Sequence, residues 1–190
     1  MPTPAFFKNY VQIIKAAQLC LEKDLHMPAL ILVFTLIDSF AWAVSAKAKR
    51  KNKEYFETWV NDWITPTGKL TCTATELYAA RCGVLHTLTS KAELNTVKGV
   101  RQVVYCWGPA TVTTLQKSLE VINRADVVGL HINDLLEAVK TGMADTFDAA
   151  ERNPALQIRL DDAAALHFSE LPVNSLEKLM ELHESGLKLG

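Results

Sequence analysis

Apolar residues at Phe6, Tyr10, Ile13, Ile14, Ala17 and Leu21 recur at three- and four-residue intervals. That spacing predicts an amphipathic helix from Ala5 to about Lys23. A second helix is expected from Pro28, a residue suited to a first helical turn, to about Lys49. A third should cover Asn52 to Ile64, with Tyr55, Phe56, Trp59 and Trp63 as an aromatic stripe. Core packing explains that stripe better than a base-stacking platform does. Thr65-Pro66-Thr67-Gly68 breaks the pattern. Thr73 and Glu76 then make a capping box that starts a fourth helix, running from Ala74 to about Leu88.

The second half changes character. Val100 to Trp107 is rich in β-branched and aromatic residues and reads as a strand, ended by Gly108-Pro109. A helix follows from about Ala110 to Asn123, then a short strand from Val127 to Ile132. Asn133 can cap a further helix reaching about Arg152, weakened by Gly142. Gln157 to Leu160 reads as a third strand, and Asn174 with Glu177 as the cap of a last helix ending near Glu184. The expected fold class is therefore α+β, mainly α. The 190 residues suit a single domain: a helical bundle over residues 4–90, and a smaller mixed strand and helix region over 95–190 packed against it.

Composition narrows the function. With 49% hydrophobic residues a substantial core is available. The net charge of −1 excludes a globally basic nucleic-acid binder, so any polyanion contact must be local. Cys20, Cys72, Cys82 and Cys106 form no Cys-x-x-Cys pair, and residues 1–10 do not resemble a secretory leader. A reduced, cytoplasmic setting is expected. Met27 to Ala46 is about one bilayer span long and strongly apolar, with a basic run after it. Asp38 near its middle would be costly in lipid. A central helix buried within a bundle is the preferred reading, and no membrane association is expected.

The fourth helix carries the candidate chemistry. Leu77, Arg81, Val84 and Leu88 fall on one face, so Arg81 interrupts an apolar stripe. A guanidinium there needs an anion or several acceptors, and Asp38 is the natural candidate. A structural Asp38–Arg81 pair and a functional Arg81 are both open. Ala79, Cys82, Gly83 and His86 form a second face of mostly small residues, where another backbone can come close. His86 would stand at the edge of such a helix contact, either within the chain or between subunits.

Arg81 and His86 form an Arg-x4-His pair. Here the chain resembles the HEPN superfamily, whose ribonuclease members carry Arg-x4–6-His on a helix of an all-helical bundle. The preceding order is also similar: two long helices, an acidic residue within the second, then an aromatic-rich helix. The resemblance covers roughly residues 5–90. Arg124 and His131 give a second, Arg-x6-His match, but it crosses a helix end and a strand. The family often has a polar residue directly after the arginine, where this chain has Cys82, so loss of activity with retained binding stays open.

The resemblance implies metal-independent cleavage of RNA, with no cofactor. His86 would move protons as the ribose 2′-hydroxyl attacks the phosphate, and Arg81 would stabilise the added negative charge. Asp38, Tyr78 and Cys82 would be supporting residues. It also implies a homodimer. Residues five apart on an ideal helix diverge by roughly 140°. The two groups meet only if the arginine curls round, the helix distorts near Gly83, or a second subunit completes the site.

Lys47, Lys49, Arg50, Lys51 and Lys53 place five positive charges within seven residues. They could steer a phosphate backbone or form a solvated helix terminus. Cys82 and His86 have zinc-ligand spacing, but only Cys72 is near in sequence, and no metal site is expected. His26, His167 and His183 have no evident partners. No Walker loop, dinucleotide fingerprint or Gly-x-Ser-x-Gly elbow occurs. The alternative to an RNA-directed protein is a non-catalytic scaffold with a protein partner, in which Arg81 and His86 only hold helices together. A membrane-associated protein using residues 27–46 is the third reading.

Overall fold

The computed structural model describes residues 4–45 and 51–166, with 177, 180 and 181. Among them are seven α-helices and one two-stranded sheet. Helices α1 (Pro4–Glu22), α2 (His26–Val44) and α3 (Asn52–Trp59) come first. A π-helical segment, Val60–Ile64, and a 3-10 turn, Thr65–Thr67, continue α3 until Gly68 ends it with a positive φ of 70°. Helix α4 spans Ala74–Thr87. Strand β1 (Gln102–Cys106), helix α5 (Val112–Val121) and strand β2 (Val127–His131) form a β–α–β unit, followed by α6 (Ile132–Ala150) and α7 (Pro154–Ala165). The strands are parallel, with Gln102 opposite Val127 and Cys106 opposite His131. The fold is thus α+β and mainly α.

Helix α2 is the axis of the core. Its apolar residues surround the whole helix, so no face can be left to water without cost. Val33, Phe34, Leu36, Ile37 and Phe40 are fully buried. They pack against α1, α3, α4, α6 and α7, so the C-terminal helices complete the core of the N-terminal ones. By length and mean hydropathy α2 could also cross a bilayer; half of its apolar window is buried in this fold. Phe40 is the hub, with Tyr10, Trp59 and Phe147 edge-on at 5.2–5.3 Å between ring centres. Burying a side chain of this size stabilises by about 1.5–3 kcal/mol. Trp59 donates its indole N–H to Thr146 Oγ1, 3.2 Å away. The aromatic stripe of α3 is accordingly split: Phe56 and Trp59 are buried, and Tyr55 and Trp63 half-buried against the core.

Gly142, unfavourable for helix propensity, has a packing reason. A Cβ there would lie 2.9 Å from the Trp63 carbonyl oxygen, so only glycine lets α6 cross the π-helical segment this closely.

Two sequence expectations are corrected. Gln157–Leu160 is not a strand but the middle of α7. The Gln-Ile-Arg-Leu alternation matches a strand template, yet Asn153 caps the helix by accepting from the Leu156 N–H, and Pro154 occupies its first turn. Leu156, Leu160, Ala163 and Ala164 then share one buried face at helical spacing. The cap of α6 is His131 rather than Asn133: its Nδ1 accepts from the Asn133 N–H at 3.2 Å. The last helix expected before Glu184 lies essentially outside the described residues.

Candidate functional site

Helix α4 is fixed at its N-terminus before it presents any chemistry. The Thr73 hydroxyl accepts from the Glu76 N–H, and the Glu76 carboxylate accepts from the Thr73 N–H, completing the capping box. The same carboxylate, in a residue only 2% exposed, takes the Arg101 backbone N–H and two guanidinium N–H groups at 2.6 and 3.1 Å. Burial alone would raise the Glu76 carboxyl. Arg101 and the Thr73 amide outweigh it and hold the group below the usual carboxylate range. This link pins α4 to the start of β1. Sequence reading found the cap but missed Arg101.

Two turns further on, α4 faces α2. Arg81 Nε and Nη2 both donate to Asp38 Oδ2, at 2.7 and 2.6 Å. Arg81 Nη1 lies 2.9 Å from His86 Nε2. A guanidinium has only donors, so Nε2 must accept, and the imidazole is neutral in this contact. The Arg81 and Asp38 side chains are 14% and 25% exposed, while His86 is exposed. Burial pulls the guanidinium's proton affinity down, but the Asp38 carboxylate more than restores it, so Arg81 stays charged. Its guanidinium carbon lies 5.8 Å from the centre of the Tyr78 ring. Tyr78 is pushed up by burial and then by the neighbouring Cys82. Asp38, Tyr78, Arg81, Cys82 and His86 therefore gather in one place. Helix α4 runs unbroken through Gly83, and the curl of the long arginine side chain closes the angular gap within one chain.

The small face of α4 is covered by the chain's own return. Leu88, with a φ of 54°, reverses the backbone, and Thr89 donates its N–H to the Gly83 carbonyl. A Cβ on Gly83 would meet the Thr89 carbonyl oxygen at 2.6 Å. Within the chain, the close neighbour of this face at Gly83 is residues 89–91. Two hollows flank the pair. One, of about 350 Å³, is lined by Asp38, Trp42, Asn52 and Arg81 among others. The second, of about 400 Å³, is lined by Cys82, His86, Lys91 and Glu93 among others.

Other candidates do not join this cluster. Lys47, Lys49 and Arg50 lie outside the described residues. Lys51 is exposed at the start of α3, and Lys53 reaches Glu57 at 3.7 Å on its own helix. Cys72 stands beside Glu76 at the opposite end of α4 from Cys82 and His86. No group of three or more metal-ligating side chains occurs among the described residues. Burial pushes the Cys72 thiol up to about 12. Arg124 is held by Asp126 before β2, whereas His131 stands at the far end of that strand, so the second Arg–His pair does not converge. His26, expected to be isolated, stacks on Trp107 at 4.2 Å and approaches Asp24. His167 and His183 lie outside the described residues.

No family model, curated protein or solved structure matches this chain.

Proposed function

We propose that this chain is a HEPN-like, RNA-directed protein whose Arg81–His86 pair cleaves phosphodiester bonds without a metal ion. The observation that carries the reading is the 2.9 Å contact between a fixed, charged guanidinium and an exposed, neutral imidazole. An RNA phosphate entering between them takes the Arg81 Nη1–H onto a non-bridging oxygen. That exchange frees the Nε2 lone pair. His86 then accepts the proton of the ribose 2′-hydroxyl as the 2′-oxygen attacks phosphorus. The bond to the 5′-oxygen breaks, and that oxygen gains a proton from water or from the imidazolium. The products are a 2′,3′-cyclic phosphate and a 5′-hydroxyl. Arg81 stabilises the additional charge of the transition state, and Asp38 fixes the guanidinium plane before substrate arrives. Both groups come from one chain, so the reading does not depend on the homodimer that the family resemblance implies.

The test is incubation of the full chain with mixed single-stranded RNA in chelator, beside Arg81→Ala and His86→Ala variants that remain folded. Loss of cleavage in both supports the enzyme. A second reading has its own support: the paired bonds from Arg81 to Asp38 also tie α4 to α2. RNA binding without cleavage would identify a member that has lost activity, a variant for which Cys82 after the arginine leaves room. Neither binding nor cleavage, with a large fall in thermal midpoint for Arg81→Ala, would identify a scaffold.

A further inference from the structure

Building on that reading, the geometry points to a subsite for one unpaired nucleobase in the hollow between α2 and α3, with Trp42 as its stacking surface. Trp42 lies one helical turn after Asp38 and is 45% exposed, although α2 is otherwise the core helix of the fold. Its indole borders the hollow that Arg81 also lines. An exposed indole beside a fixed guanidinium is the pairing that single-strand binders use: the cation holds the phosphate and the ring takes the base.

The hydrogen-bonding groups around the hollow favour a base over a phosphate or an apolar side chain. Arg81 occupies only Asp38 Oδ2; Oδ1 takes no hydrogen bond among the described residues. A free carboxylate oxygen repels phosphate and accepts from a base N–H. Asn52, exposed at the first position of α3, has an amide with no hydrogen-bond partner among the described residues, and it can both donate and accept. Lys51 beside it supplies one positive charge at the surface. At about 350 Å³ the hollow is at the small end of ligand sites, room for one nucleoside and not two. A base buried there must leave any duplex, so the substrate is single-stranded at this nucleotide. The second hollow, on the His86 side, leaves space for the neighbouring nucleotide across the cleaved phosphate.

The experiment uses the full chain in chelator at low salt, with wild type, Trp42→Ala and Trp42→Phe. Binding and cleavage are measured on a short single-stranded RNA, on the same RNA annealed to its complement, and on one containing an abasic ribonucleotide beside the cleaved bond. Wild type should prefer the intact single strand. Trp42→Ala should weaken binding and raise KM on the order of tenfold, with kcat nearly unchanged, and should erase the preference over the abasic RNA. Trp42→Phe should keep most of both, which separates stacking from a packing defect. Cleavage that depends on Arg81 and His86 but is indifferent to both Trp42 variants and to the abasic position would overturn the subsite and leave the function standing. A folded wild-type chain that neither binds nor cuts any of the three RNAs removes the function and the subsite together.

Discussion

Helix α4 holds one carboxylate–guanidinium pair at its N-terminal end and another, through Arg81, in its C-terminal half, and the two are built differently. At the N-terminal end Glu76 is almost fully buried and accepts four N–H groups, from Thr73, from the Arg101 backbone and from its guanidinium. In the C-terminal half the partner, Asp38 of α2, is 25% exposed, receives both its bonds on one oxygen, and leaves Arg81 Nη1 against an exposed imidazole. A buried, saturated carboxylate has no acceptor left for a ligand and acts as a clamp, even though the Arg101 side chain itself is 38% exposed. An open pair retains acceptors and donors that a substrate can take over. Identical chemical groups thus serve stability at one end and, in our reading, chemistry at the other.

The largest contrast should appear in the two cysteines that mark these ends. Cys72, beside Glu76, is buried and its thiol is pushed up to about 12, first by burial and then by the Glu76 charge. Its thiolate at pH 8 is then roughly a thousandfold scarcer than that of an ordinary thiol. Cys82 at the open end is only half-buried. Timed alkylation with mass spectrometry should label Cys82 in the native protein and spare Cys72 until urea is added. Equal rates for the two would mean that the N-terminal end is not closed.

Next in size is the effect on cleavage. Arg81→Ala removes the donor to the transition-state phosphate and should lower kcat by a hundredfold or more. Arg101→Ala, if folded, should cut RNA like the wild type. Equal losses in both variants would make the open end merely another clamp.

How much of this was legible in the sequence depends on distance along the chain. The capping box of α4 was readable because Thr73 and Glu76 are three residues apart and the physics is local. The Asp38–Arg81 pair was readable for another reason: each charge interrupts an apolar face, so each demands a partner. Arg101 gave no such signal, since it precedes a strand where a charged residue is unremarkable, and its partner Glu76 was already accounted for as a cap. Trp42 was hidden because α2 is apolar all round, and nothing in its pattern says which apolar residue stays exposed. At Gln157–Leu160 a four-residue alternation imitates a strand, but the Asn153 cap and Pro154 beside it start a helix that runs through the segment.

Stability should invert the ranking seen in cleavage. Arg101→Ala leaves the Glu76 carboxylate with little access to water, and the unfolding free energy should fall by about 3 kcal/mol. Arg81→Ala leaves Asp38 with water within reach, so the cost should be near 1 kcal/mol. Urea titrations of both variants measure this directly. A greater loss in Arg81→Ala than in Arg101→Ala would favour the scaffold reading of Arg81.

The smallest effect is a pH dependence, and its sign follows from Glu76. Its carboxyl is held below its unfolded value in the folded protein. The unfolded chain therefore binds the proton more readily than the folded one in acid. The stability contributed by the clamp is fully present above the unfolded value, about 4.3, and is lost as pH falls through the lower folded value. The urea midpoint of the wild type should decline across that window from about pH 5 downward. In Arg101→Ala the guanidinium that depresses the carboxyl is gone while burial still raises it, so this part of the decline should shrink or reverse. An unchanged slope in that variant would show that carboxylates other than Glu76 carry the acid sensitivity, and the N-terminal end of α4 would lose its claim to be the clamp.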